Sequence, residues 1–255
     1  MRFASLGSGS QGNALVVESG STRILLDCGF GLAETVSRLG RLGLTPQDLS
    51  AIVVTHEHDD HIGGVARLAR RHCLPVWLTH GTLNGFEPLF AEVGSVNVIG
   101  SYEAFAVGNL QIHPFPVPHD AREPAQYVFS DGARRLGVLT DTGSSTPHIE
   151  TMLSQCHALV LECNHDRGML QAGSYPQRLR ERIAGKFGHL DNVAAAGLLS
   201  RLDSGSLQHL VAAHLSQENN RPELARAALA AAIGCGPDWI AVADQAEGLD
   251  WRQIS

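Results

Sequence analysis

The chain has 255 residues, 44% of them hydrophobic, enough for a sizeable core in one large domain or two small ones. It contains no run of about eighteen apolar residues, which excludes an ordinary membrane-spanning helix. A net charge of −7 argues against tight, purely electrostatic binding to nucleic acid, although divalent cations held by a nuclease would restore positive charge where a phosphate sits.

The first third reads as strands in quick succession. MRFASL, NALVVES and TRILLDCG are short apolar, often β-branched runs separated by GSGSQG and SGS. The opening segment has one arginine, then small polar residues, and no apolar stretch long enough for a signal peptide. GLAETVSRLGRLGLTPQDL places Leu32, Val36 and Leu39 at helical spacing and stops at Thr-Pro. AIVVT, from Ala51, is too apolar to face water on either side and predicts a fully buried strand. HIGGVARLARRH predicts a helix, and LPVWLTH a return to strand.

Residues 94–165 are again strand-rich, with VNVIG, FAVGNLQIHPFPV, AQYVFSDGARRLGVLTD and ALVLECN. QYVFS and ARRLGVLT are expected to form a hairpin across an Asp-Gly turn. Two late helices, NVAAAGLLSRL and PELARAALAAAI, bracket the strand-to-loop segment LQHLVAAHLS, with Pro222 in a first helical turn and Gly234 at a stop. No low-complexity linker divides the chain, so residues 1–255 are expected to form one domain, two sheets sharing a core with helices outside. Cys28, Cys73, Cys156, Cys163 and Cys235 are scattered without a CxxC spacing and read as reduced residues of a cytoplasmic protein.

The chemistry concentrates in THEHDDHIGG, Thr55 to Gly64. Side chains two apart in an extended segment point the same way, so His56 and His58 can reach one metal ion together as the strand ends. Asp60 and His61 follow as the chain turns into the helix, where they can face a second ion. Imidazole mixed with carboxylate suits zinc, with manganese or iron as alternatives. Gly63 and Gly64 let backbone pack close behind.

THEHDDH resembles the signature of the metallo-β-lactamase superfamily, whose α/β fold is a four-layer αββα sandwich of two mixed β-sheets with helices on the outer faces. The other positions of that pattern follow in order: Asp27 in ILLDCG, His119 in FPVPHDA, Asp141 in GVLTDTG and His214 in LVAAHLSQEN. His113 is set aside because it precedes Pro114 within a strand run. The resemblance implies two divalent ions, one held by His56, His58 and His119 and the other by Asp60, His61 and His214. Asp141 would bridge them, and Asp27 would orient ligands from behind. A hydroxide shared by the ions is the implied nucleophile, with Asp60 among the catalytic residues.

Within the superfamily, ALVLECNHD and FGHLDN resemble segments of tRNase-Z-like phosphodiesterases in which a glutamate, here Glu162, pairs with a histidine, here His189. The carboxylate would keep the imidazole protonated or oriented, and the imidazole would stabilise a leaving oxygen. The opening LGSGSQGNALVVE resembles the WalJ/YycJ-type branch of small phosphodiesterases, although Asp191 stands where that branch has a serine. This implies nucleic acid as substrate, DNA ahead of RNA, and 5′-to-3′ exonuclease action. Ser8, Asn164, His165 and Arg178 are the expected substrate contacts. The backbone N–H groups from Ser8 to Gly12 are either a phosphate path or a plain tight turn.

The short intervals from His119 to Asp141 and from Asp141 to His214 leave no room for a tRNA-gripping arm or an inserted nuclease domain. Arg167, Arg178, Arg180, Arg182 and Lys186 form a basic stretch that either tracks a nucleic-acid backbone or is a solvated helix face. Two rival readings use the same residues. One is hydrolysis of a small cyclic phosphodiester, thioester or lactone. The other is a non-enzymatic, metal-stabilised nucleic-acid-binding module.

Overall fold

In the computed structural model, which describes residues 1–255, the central strands of both sheets bury side chains on both faces, and that decides the architecture. Strands β1 (Arg2–Gly7), β2 (Ala14–Ser19) and β3 (Thr22–Leu26) form the antiparallel meander that the three short apolar runs predict. Helix α1 (Leu32–Arg41) then leads to β4 (Ala51–Val53), and α2 (Asp59–Ile62) with α3 (Val65–His72) leads to β5 (Val76–Thr79). After α4 (His80–Phe90) comes β6 (Val96–Ile99); β3 to β6 run parallel.

The second sheet repeats the plan. β7 (Phe105–Val107), β8 (Leu110–Pro116), β9 (Ala125–Ser130) and β10 (Arg135–Leu139) meander antiparallel. Helix α5 (Pro147–Leu153) leads to β11 (Ala158–Glu162), which continues the sheet in parallel. The segments α6 (Arg167–Ala172), α7 (Gln177–Ile183) and α8 (Asn192–Leu199) precede β12 (His209–Ala213), and α9 (Pro222–Ile233) precedes β13 (Ala241–Val242). β14 (Leu249–Gln253) returns to pair antiparallel with β1. The strand orders are β14-β1-β2-β3-β4-β5-β6 and β13-β12-β11-β10-β9-β8-β7.

Val17, Ile24 and Val53 of the first sheet meet Ile112, Tyr127, Phe129, Val138 and Val160 of the second in a shared core. One step along each strand, side chains face outward. Val16, Leu25 and Ile52 pack with Leu39 of α1 and Leu68 of α3. Leu139, Leu159 and Leu161 pack with Leu153 of α5, Leu198 of α8 and Leu229 of α9. The result is the αββα sandwich, with apolar contacts across each of its three interfaces. It explains why AIVV and ALVL have no polar face, since each buried large aliphatic contributes roughly 1.5–3 kcal/mol.

Two expectations need amendment. Ser130 pairs with Arg135, so residues Asp131–Arg134 connect β9 to β10 instead of a two-residue Asp-Gly turn. Asp131 Oδ1 accepts from the N–H groups of Ala133 (3.0 Å) and Arg134 (2.7 Å), which stabilises the longer loop. Helices α4 to α6 and strands β13 and β14 are additions to the elements read from the sequence, and α7 carries the basic stretch on a helix. All five cysteines are unpaired, and no helix is long and apolar enough to cross a membrane.

Candidate metal centre

The carboxyl ends of β3, β4, β8, β10, β11 and β12 meet at one edge of the sandwich, where α/β sheets present their ligand sites. Just beyond β3, β10 and β12 the chain carries Asp27, Asp141 and His214 at φ of +60°, +51° and +54°. This left-handed conformation is uncommon for such residues and persists only where surroundings impose it. Asp27 donates its N–H to Val53 O at 2.8 Å. His214 donates its N–H to Ser8 Oγ at 2.9 Å, and its carbonyl accepts from Asn164 Nδ2 at 3.1 Å. The turn after β3 is pressed against α2: a Cβ on Gly29 would lie 1.9 Å from the Asp60 carbonyl, and one on Gly64 2.0 Å from the Phe30 carbonyl.

Three imidazoles converge first. His58 Nδ1 lies 3.0 Å from His56 Nε2 and 3.2 Å from His119 Nε2. His119 donates Nδ1–H to the Gly188 carbonyl at 3.1 Å, which leaves Nε2 as its lone-pair nitrogen. Burial holds the pKa values of His56 and His119 below the ordinary histidine range, so both are neutral donors at pH 7.

A more acidic set lies beside it. Asp60 Oδ2 is 3.5 Å from both His61 Nε2 and His214 Nε2. Asp27 Oδ2 accepts a hydrogen bond from His61 Nδ1–H at 2.8 Å, while the two carboxylate oxygens accept from Thr55 N and Oγ1, each at 2.8 Å. That arrangement turns His61 Nε2 toward Asp60 and Asp141. Asp141 sits between the sets, with Oδ2 3.0 Å from His61 Nε2 and Oδ1 4.0 Å from His119 Nε2.

These donors fit two divalent cations. Asp141 Oδ2 is buried and, although 3.0 Å from His61 Nε2, makes no hydrogen bond of ordinary geometry. A buried carboxylate oxygen left so is costly unless a cation meets it. Nitrogens sharing a tetrahedral zinc stand roughly 3.3 Å apart, given Zn–N of about 2.0–2.1 Å, close to the spacing of the three imidazoles.

Without a cation, burial disfavours charge on His61 and His214, but Asp141 and the other carboxylates outweigh it. They hold His61 well above the ordinary range and His214 up to about 10. Protons therefore compete with a cation for the acidic set, and raising the pH removes them. Cation affinity there should climb as pH rises from neutrality toward about 10. The first set, with His56 and His119 already neutral, should show a weaker dependence. Calorimetric titration in buffers of different ionisation enthalpy reads this directly: one binding phase releasing protons at pH 7 and one releasing few.

Glu162, buried at the end of β11, supports two histidines. Its Oε1 accepts from His189 Nδ1 at 2.8 Å and lies 3.2 Å from His214 Nδ1. Its Oε2 accepts from the N–H groups of Thr142 (3.0 Å) and Leu190 (3.1 Å). Burial would push this carboxyl up, but His189 and His214 hold it down to about 2. Glu162 in turn raises the His189 pKa against the effect of burial. The sequence pairs Glu162 with His189 alone; the structure adds His214.

Asp60, Asp141, His58, His189, His214 and Asn164 line a cleft of about 390 Å³. Three expected substrate contacts lie elsewhere. Ser8 is buried beneath His214 and takes the backbone hydrogen bond described above. The nearby N–H groups of Ser8, Gly9, Gln11 and Gly12 are bonded to Asp244, Asn13, Gln245 and Gly9, as in a tight turn, and of that stretch only Ser10 reaches the cleft lining. His165 follows Asn164 in an extended segment and so points away, into a separate groove with Arg167 and Arg180. Arg178 stands about 100° round α7 from Leu179, which faces the cleft, and is not part of the lining.

Sequence reasoning missed Asn13, whose Nδ2 is 3.1 Å from His61 Nε2 and 3.3 Å from Asp60 Oδ2. It also missed Asp120 and Tyr175 in the cleft wall, where Arg182 alone of the basic stretch joins them. The Asn in QGN and the Asp beside His119 were the available signals.

A four-layer sandwich with metal donors gathered at the strand ends defines a metal-dependent hydrolase. Residues 22–214 match the family model described as Beta-lactamase superfamily domain, and the chain belongs to that superfamily. It is 36% identical over 230 residues to exodeoxyribonuclease YycJ of Bacillus anthracis, covering 89% of this chain and 86% of that one. It is 32% identical over 257 residues to exodeoxyribonuclease WalJ of Streptococcus pneumoniae, covering 98% and 92%. In fold it is similar to YhfI of Bacillus subtilis (TM-score 0.77, 16% identity, 99% of each chain). It is likewise similar to Zn(2+)-bound PqqB of Methylobacterium extorquens (TM-score 0.74, 18% identity, 100% of each chain).

Proposed function

We propose that the chain is a dinuclear metal-dependent phosphodiesterase that degrades nucleic acid as a 5′-to-3′ exonuclease on DNA, built as one hydrolase domain. The observation that carries the reading is the Glu162–His189 pair, an imidazole raised in pKa by a buried carboxylate and opening on the same cleft as the metal donors. A phosphodiester expels an alkoxide that needs a proton, whereas a thioester expels a thiolate that does not. The relatives that match along most of their length are named exodeoxyribonucleases, which favours DNA. The unpaired cysteines favour a reducing compartment, the cytoplasm.

His56, His58 and His119 would hold one cation, Asp60, His61 and His214 the other, with Asp141 shared; zinc suits this donor set, with manganese or iron as alternatives. Bound cations supply Lewis acidity, activating water near neutral pH and offsetting charge on the phosphate oxygens. The chain's own groups do the rest. Asp60 stays ionised because His61 and His214 favour its charge against the effect of burial, and it accepts a hydrogen bond that orients the attacking water. His189 gives its Nε2 proton to the leaving oxygen while Nδ1 stays on Glu162, so the ring keeps its aim. With 21% of its side chain exposed, His189 regains a proton from solvent.

End-labelled single- and double-stranded DNA and RNA, incubated with the zinc- or manganese-loaded protein, test the reading. Release of mononucleotides from 5′ ends of DNA is expected. Intact nucleic acid together with hydrolysis of a thioester or lactone would overturn it.

A further inference from the structure

The cleft wall carries four aspartates, Asp59, Asp60, Asp120 and Asp141, and only one arginine or lysine, Arg182. Arg182 belongs to α7, a helix with no buried residue, so core packing does not dictate its aim. Asp120 does. Arg182 Nε donates to Asp120 Oδ2 at 2.6 Å, and Asp120 is itself fixed by its N–H on the Phe187 carbonyl at 3.0 Å. Because Asp120 Oδ1 is 3.5 Å from His119 Nε2, the tether stations the guanidinium beside the first set of metal donors. Holding Arg182 through Nε leaves both Nη groups without a protein partner. Free, coplanar guanidinium N–H groups at the edge of a polar cleft match the oxygens of a phosphate.

The same stripe of α7 and the turn before it present Tyr175 and Leu179, four residues apart, to the cleft. The Tyr175 ring is half-buried, and its hydroxyl has no protein partner. An aromatic face so placed stacks on a base regardless of sequence.

We propose that Arg182 and Tyr175 form a nucleotide subsite, Arg182 taking a phosphate next to the scissile one and Tyr175 stacking an unpaired base, so that the preferred substrate is a single-stranded end. The inference rests on the nucleic-acid reading above. A cleft of about 390 Å³ accommodates one nucleotide, and a paired end must open before its base can reach Tyr175.

The test combines kinetics on 5′-phosphorylated pentathymidylate with fluorescence-anisotropy binding of its uncleaved phosphorothioate analogue, labelled at the 3′ end, to the metal-loaded protein. Arg182→Ala should raise KM and Kd about tenfold with a smaller change in kcat, and Arg182→Lys should recover part of the loss. Tyr175→Leu should raise both constants about tenfold and weaken the preference for single over double strands, while Tyr175→Phe behaves as the parent. Arg67→Ala, exposed on α3 and outside the cleft, should change nothing. Unchanged KM and Kd in Arg182→Ala and Tyr175→Leu, or a fall in kcat alone, would overturn the subsite. If the parent protein cleaves no nucleic acid, the functional reading fails instead, and the Kd series still judges the subsite.

Discussion

Asp141→Ala is expected to bind no more than one divalent cation per chain and to lose about three orders of magnitude in phosphodiesterase turnover. The size of the effect follows from position. Asp141 is the one carboxylate with oxygens within 4.0 Å of histidines in both donor sets, and its buried Oδ2 has no protein partner to fall back on. Metal content by mass spectrometry and turnover of bis-p-nitrophenyl phosphate read the two losses together. Two cations per chain with undiminished turnover would show that Asp141 is not shared.

Glu162→Gln should be the more instructive substitution, because it strikes two functions through one side chain. An amide cannot replace the paired carboxylate oxygens that meet His189 and His214 on one side and the Thr142 and Leu190 N–H groups on the other. Turnover should fall about 10²–10⁴-fold, the usual range for losing a positioned acid. Cation affinity should fall about 10–100-fold, the usual result of loosening a group behind a metal ligand. His189→Ala separates the two: it should lose turnover to a similar extent and leave cation affinity near that of the parent. Equal metal affinity in Glu162→Gln and His189→Ala would mean that the Glu162–His214 contact does not matter.

Much of this was legible in the sequence because burial on both strand faces and a dense ligand motif leave local signatures. AIVV and ALVL lack a polar face because each lies between another sheet and a helix layer. His56, His58, Asp60 and His61 lie within one strand-to-helix turn, so their spacing already places them together. The remainder depends on partners distant in sequence. Strand β14 is a mostly exposed edge whose pairing with β1 has no local pattern. Helix α7 buries no residue, and its one apolar pair, Leu179 and Ile183, is too short a pattern to show from sequence that Arg182 rather than Arg178 faces the cleft. Ser8 has the glycine-rich setting of a phosphate contact, but its N–H is spent on Asp244 and that of Gln11 on Gln245, partners far away in sequence.

Crystals grown with zinc or manganese, measured at the metal absorption edge, address the heart of the account. It predicts two anomalous peaks per chain, one against His56, His58 and His119, the other against Asp60, His61 and His214, both touching Asp141. A single peak, or peaks away from these seven side chains, would contradict it.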